Sequence, residues 1–155
     1  NKDIFCLEKL EKILQSQDAL NSTTLAKIDS KGSFNSKLNP NIILHALEQG
    51  VSLVVDGIHA FDDDLEELRQ EFIKTTQCPC NINCYLTPLS AQCFNPHYDD
   101  HEVVIIQCQG SKSWSVESQP SLNNPTQPKS ISRNDYERFT KLQKKHFEVL
   151  RKHHF

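Results

Sequence analysis

Five consecutive residues, Pro96-His97-Tyr98-Asp99-Asp100, concentrate the chemistry of this 155-residue chain. In an extended segment, side chains two residues apart project to one face, so the His97 imidazole and the Asp99 carboxylate lie side by side. Such a pair can bind one divalent ion. It forms two corners of the two-histidine, one-carboxylate triad that holds non-haem iron(II) with coordination positions left open. His101 shares that face but sits roughly 13 Å from His97 at a rise of roughly 3.3 Å per residue, too far to close around the same ion unless the strand bends sharply. A surface histidine beside acids has the same spacing.

Six cysteines are present: Cys6, Cys78, Cys80, Cys84, Cys93 and Cys108. Cys78-Pro79-Cys80 followed by Cys84 points toward zinc. Zinc sites, however, usually pair two-residue spacers, and a fourth ligand would have to come from elsewhere. No stretch at the start reads as a signal peptide, so reduced, partly buried thiols are expected rather than a disulfide framework.

The elements that must position these groups follow from periodicity. Phe5, Leu7, Leu10 and Leu14 recur at near-helical spacing with Lys and Glu between them. Asn39-Pro40 opens a second helix, Asn as cap and Pro in the first turn, and Gly50 stops it. Residues 51–55 read as a short β-branched strand, and Asp62, Asp63 and Asp64 suit the start of a further helix. The period then changes. Residues 82–87 alternate, with Asn83, Tyr85 and Thr87 on one face and Ile82, Cys84 and Leu86 on the other. Residues 88–96 are rich in turns. Residues 103–106, Val-Val-Ile-Ile, read as a strand covered on both faces. Gln109-Gly110-Ser111 reads as a hairpin turn, returning through residues 112–116 as an alternating strand. Residues 118–133 form a linker or loop, and from Asn134 a stripe of Tyr136, Phe139, Leu142, His146, Val149 and Leu150 predicts a basic helix. Helices first and strands late give an α+β class.

Composition sets outer limits. With 37% hydrophobic and 24% charged residues and a mean hydropathy of -0.55, collagen, disorder and low-complexity assembly are excluded. The longest apolar runs fall far short of a membrane span, so no membrane partner is expected. The net charge of -3 is unevenly spread. Residues 118–155 hold eight Lys/Arg against three acids, leaving residues 1–117 at -8. That tail could contact nucleic acid or acidic protein, although a solvated helix face explains it as well. There is no Met, which leads us to expect a processed product or a fragment.

Three segments carry a resemblance: Asn83-Cys84-Tyr85-Leu86-Thr87-Pro88, then residues 92–100 around the His-x-Asp pair, then Ile105 to Trp114 with Gly110-Ser111-Lys112-Ser113-Trp114. Together they resemble the JmjC-type cupin oxygenases, in particular the ribosomal-oxygenase branch of histidyl hydroxylases and lysine-specific demethylases. The resemblance covers residues 83–116 closely and extends more loosely upstream. It implies a partial jelly roll after the N-terminal helices. Residues 1–80 are then the helical part, 81–117 the early barrel strands, 118–133 a linker and 134–155 the basic helix. It further implies iron(II) bound by His97 and Asp99, and 2-oxoglutarate as co-substrate. Lys112 matches the lysine that pairs with the distal carboxylate, and Asn83 and Tyr85 match co-substrate pocket residues. The chain departs from the family in two places. Cys93 stands where the family usually has Gly, and nothing after Glu117 resembles the segment that bears the third iron ligand. His146, His153 and His154 sit in a Lys-rich context unlike it.

The expected function is therefore an iron(II)- and 2-oxoglutarate-dependent protein oxygenase, with this chain as a truncated, inactive portion. A ribosomal protein or a histone tail would be the substrate. A nuclear or nucleolar location and a homodimer of the full-length form belong to the same expectation. The alternative is a non-catalytic, cupin-derived interaction module with an incomplete iron site. A third, weaker reading is a zinc-binding adaptor built on the cysteine cluster.

Overall fold

The computed structural model describes residues 4–27, 37–117, 129–130 and 144–149, with the backbone alone described for the last two stretches. The chain divides into two compact units, Lys2–Phe94 and Asn95–Phe155.

The first unit begins with helices α1 (Leu7–Ile13) and α2 (Gln17–Asn21). Strand β1 (Thr23–Ala26) follows, a short element inside the region that periodicity reads as helical. Its Thr-Thr-Leu-Ala sequence is too short to signal a strand alone. It becomes one because β2 supplies its hydrogen-bond partners. Helix α3 (Pro40–Glu48) starts as expected: the Asn39 side chain accepts from the Ile42 N–H at 3.0 Å, and Pro40 occupies the first turn. Gly50 ends it with φ +72°, in the left-handed region that glycine adopts without strain.

Strand β2 (Ser52–Val55) runs through the middle of an antiparallel sheet in the order β1-β2-β3, with β3 at Cys84–Leu86. Thr23 lies opposite Val55, and Leu53 opposite Leu86. All four β2 residues are buried, which explains a continuous apolar run in place of alternation. Leu53 and Val55 join Phe5, Leu10, Ile43 and Ile58 in one core. Along β3 the expected alternation holds: Ile82, Cys84 and Leu86 pack on the core, whereas Asn83 and Tyr85 are exposed.

A 3-10 turn (Ile58–Phe61) leads into helix α4 (Asp63–Thr76). Asp62 caps α4 by accepting from the Leu65 N–H at 3.0 Å. The same carboxylate meets Lys9 Nζ at 3.2 Å, and Lys9 also pairs with Asp64, so α1 is fastened to the start of α4. The Asp64 hydrogen bond, followed by Asp62, holds the Lys9 ammonium above its ordinary range.

The second unit contains β4 (His97–Tyr98), β5 (Lys112–Glu117), β6 (Lys129–Ser130) and β7 (Lys144–Val149). Two antiparallel ladders result, β4 with β6 and β5 with β7. Helices together with antiparallel sheets make the fold α+β.

Three expectations are corrected here. Residues 103–106 form no strand in the three sheets and are exposed, from 46% at Ile106 to 68% at Val104. A run of branched apolar residues becomes a strand only when another backbone supplies hydrogen bonds, and β5 pairs with β7 instead. The hairpin across Gly110 therefore does not form, although Gly110 does turn the chain with φ +68°. Finally, the helix expected from Asn134 is a strand over Lys144–Val149. The sequence there also alternates, Phe147 and Val149 with His146 and Glu148, and long-range pairing with β5 selects that period over the helical one. The rest of residues 134–155, His153 and His154 included, lies outside the described residues. So does the expected linker, apart from Lys129–Ser130 in β6.

Candidate metal and co-substrate site

His97 opens β4, where backbone pairing to Ser130 fixes its direction. Pro96 before it restricts Asn95 to extended conformations, and the chain folds so that the Asn95 carbonyl lies 2.8 Å from His97 Nδ1. A carbonyl oxygen only accepts. Nδ1 therefore carries the proton, and the lone pair of the neutral ring is on Nε2. That Nε2 faces Asp99 Oδ2 at 3.9 Å, with both side chains about one-third exposed, at 38% and 33%.

This arrangement fits a divalent metal. The donor set, one imidazole nitrogen and one carboxylate oxygen, is of the type that iron(II) takes, and the two atoms, 3.9 Å apart, would draw roughly 1 Å closer to fill adjacent positions at metal bonds of roughly 2.0–2.2 Å. The carbonyl behind Nδ1 is the kind of outer partner that fixes a ligating histidine's tautomer. Asn95 was not singled out from the sequence. The Asn-Pro step before His97 was its available signal. His101, by contrast, pairs with Asp100 at 3.2 Å. Among the described residues, no three His, Cys, Asp or Glu side chains gather as a metal group. The six cysteines form no disulfide, with Cys78 and Cys108 exposed and the others partly so.

Lys112 begins β5, its backbone opposite Val149. Lys112 and Trp114 are half-buried while Ser113 and Ser115 between and beyond them are exposed, so the lysine and the indole share the covered face. Trp114 Nε1 and Asn95 Oδ1 are both buried and have no hydrogen-bond partner among the described residues.

Asn83 and Tyr85 belong to the first unit. Asn83 Oδ1 accepts from the Gly57 N–H at 2.9 Å, which leaves the amide NH2 as the group it can offer a ligand. Tyr85 stacks edge-on against Phe94, ring centres 6.3 Å apart. Sequence reasoning missed the latch beside them. Ile58 N–H donates to the Ile82 carbonyl at 2.9 Å, and Ile82 N–H donates to His59 Nδ1 at 3.3 Å. One turn further, Arg69 grips Glu66 through two bonds of 2.7 and 2.9 Å and donates to the Cys80 carbonyl at 3.2 Å. The Arg69 guanidinium, with Gln70 assisting, pulls the Glu66 carboxyl down to about 2. These contacts hold the segment that enters β3.

Comparison with known proteins agrees with the resemblance. The bifunctional lysine-specific demethylase and histidyl-hydroxylase NO66 of Dictyostelium discoideum is 28% identical over 141 residues, 86% of this chain and 27% of that protein. The protein of the same name from Drosophila yakuba is 32% identical over 108 residues, 70% of this chain and 13% of its own length. The one from Drosophila persimilis reaches 42% over 82 residues, 51% of this chain and 11% of its own. The chain thus spans about a quarter or less of these curated relatives. Residues 58–152, well over half of the chain, match the JmjC domain, and the chain belongs to that family.

Proposed function

We propose that the chain is part of an iron(II)- and 2-oxoglutarate-dependent protein oxygenase in which His97 and Asp99 are metal ligands. The observation that carries this reading is the oriented pair: the Asn95 carbonyl fixes the His97 tautomer and presents Nε2 toward Asp99 Oδ2 at 3.9 Å. Bound iron supplies the redox chemistry that couples 2-oxoglutarate decarboxylation to oxidation of a substrate C–H bond. This chain's residues bind and orient. Lys112 meets the distal carboxylate of the co-substrate, and Asn83 and Tyr85 are its further contacts by family position. Of these, the Asn83 amide N–H is a donor suited to a carboxylate. The JmjC cupin is a jelly roll, and β3, β4 and β5 are read as its early strands.

The names of the relatives point to a protein side chain as substrate, a histidine to be hydroxylated or a methyl-lysine to be demethylated. A nuclear or nucleolar setting and a full-length homodimer belong to the same reading. The test measures succinate released from 2-oxoglutarate by the longer protein, its His97→Ala variant and this chain. Turnover by the longer protein that His97→Ala abolishes supports the oxygenase. Turnover insensitive to His97→Ala removes the assignment.

A second reading follows from a separate observation: among the described residues, only two ligands come together. A non-catalytic module would keep the cupin scaffold and bind partners without chemistry. An inactive longer protein that still captures its partners would establish it.

A further inference from the structure

We propose that Asp56-Gly57 is a site of spontaneous isoaspartate formation that the Asn83 side chain holds closed. Of the four glycines, Gly57 alone follows an aspartate or asparagine. The pair matters because a glycine has no Cβ to hinder its peptide nitrogen from reaching the preceding carboxyl group. In the reaction the Gly57 nitrogen attacks Asp56 Cγ. A C–N bond forms, the C–OH bond of the protonated carboxyl breaks, and the nitrogen's proton leaves with that hydroxyl as water. Water then opens the resulting succinimide at either carbonyl. Opening at the side-chain carbonyl restores aspartate. Opening at the main-chain carbonyl leaves the chain running through Cβ and Cγ, with one extra backbone carbon. No atom is oxidised or reduced, and water is the only co-reactant.

Ring closure needs two rotations. The Asp56 side chain must turn about its Cα–Cβ bond, and the Asp56–Gly57 peptide must turn about the Cα–C bond of Asp56. The first is open, because Asp56 is exposed directly after β2. The second is restrained at both ends. The Asp56 N–H donates to the Ser22 carbonyl at 2.9 Å, and the Gly57 N–H donates to Asn83 Oδ1, also at 2.9 Å. The peptides before and after that torsion are thus tied to the residue preceding β1 and the residue preceding β3. The next peptide is tied as well, its Ile58 N–H donating to the Ile82 carbonyl at 2.9 Å. Of these acceptors only Asn83 Oδ1 belongs to a side chain, and it holds the attacking nitrogen itself. An extra backbone carbon would lengthen the link between the Ser22 and Ile82 bonds by about 1.5 Å. The turn that delivers Ile82 and Asn83 to β3 would lose its fit.

The experiment incubates the chain for several weeks at neutral pH, in buffer and unfolded in guanidinium chloride. Isoaspartate at residue 56 is read by electron-transfer mass spectrometry, which separates the two isomers. The folded chain should form it roughly tenfold more slowly than the unfolded one. Asn83→Ala should accelerate formation in the folded state about fivefold, the factor corresponding to one hydrogen bond of about 1 kcal/mol. Asn83→Asp keeps an oxygen acceptor for the Gly57 N–H and should stay near the parent rate. Asn39→Ala removes the cap of α3, a comparable share of stability, and should also stay near it. If Asn83→Ala forms isoaspartate at the parent rate, or Asn39→Ala accelerates it equally, the guard is overturned. No isoaspartate at residue 56 even in denaturant removes the site. Should Asn83→Ala fail to fold, the parent decides. A slow rate in buffer with the Gly57 amide protected from hydrogen exchange upholds the proposal. A rate equal to that in denaturant, with Gly57 exchanging as in an open chain, overturns it.

Discussion

His97 and Asp99 meet as a nitrogen lone pair and a carboxylate, Nε2 to Oδ2 at 3.9 Å, because the Asn95 carbonyl holds the opposite ring nitrogen at 2.8 Å. A free imidazole divides its population between two tautomers. Here one is selected before any metal arrives, which lowers the ordering that binding must impose.

Metal affinity should depend on both side chains. His97→Ala and Asp99→Ala are each expected to weaken binding of manganese(II), used as an air-stable probe, by at least tenfold in a calorimetric titration. His101→Ala should leave affinity within twofold, since that ring is paired with Asp100. Equal losses for all three variants would point to diffuse charge rather than a defined site.

Acid stability should carry the signature of Glu66. Arg69, then Gln70, hold its carboxyl at about 2 against an ordinary 4.5. A depressed carboxyl stabilises the fold fully above the ordinary value and loses that contribution as pH falls toward the folded one. The urea midpoint should therefore drop between pH 4.5 and pH 2, and the slope should be shallower in Glu66→Gln. Parallel pH profiles for the two proteins would show that the Arg69 pair contributes nothing measurable, as exposed pairs sometimes do.

Local chemistry made part of this legible in the sequence. Asn39 and Asp62 cap the helices that their positions announce, and the 82–87 alternation sorts Cys84 inward and Tyr85 outward. What stayed hidden depends on distant partners. Thr23–Ala26 is a strand only because β2 lies beside it, and Lys144–Val149 only because β5 does. The His-x-Asp spacing was visible, but its tautomer was not, because that depends on a backbone carbonyl placed by the turn at Pro96.

His59 is expected to matter for the entry to β3. Its Nδ1 accepts the Ile82 N–H at 3.3 Å, while the neighbouring Ile58 N–H closes the return bond to the Ile82 carbonyl. His59→Ala leaves the part-buried Ile82 N–H without its acceptor, at a cost of about 1 kcal/mol. Hydrogen exchange at Ile82 should accelerate more than at Leu53, deep in the core. Uniform acceleration across both would mean global destabilisation, and unchanged protection at Ile82 would mean that the bond is dispensable.

The exposed run at residues 103–106 gives the last expectation. Val103, Val104, Ile105 and Ile106 are between 46% and 68% exposed and belong to none of the three sheets. Four adjacent branched apolar side chains with high strand propensity favour pairing with another backbone, and in isolation the readiest partner is a second copy. The chain should therefore associate as its concentration rises, and Val104→Lys should suppress this by placing a charge in the pairing strip. Sedimentation velocity over a concentration series reads the effect, and the thermal midpoint serves as control. The midpoint should not move, because Val104 contributes no burial to the core around Leu53 and Val55. Association that persists unchanged in Val104→Lys would assign it to another surface and remove the run from consideration as an adhesive edge.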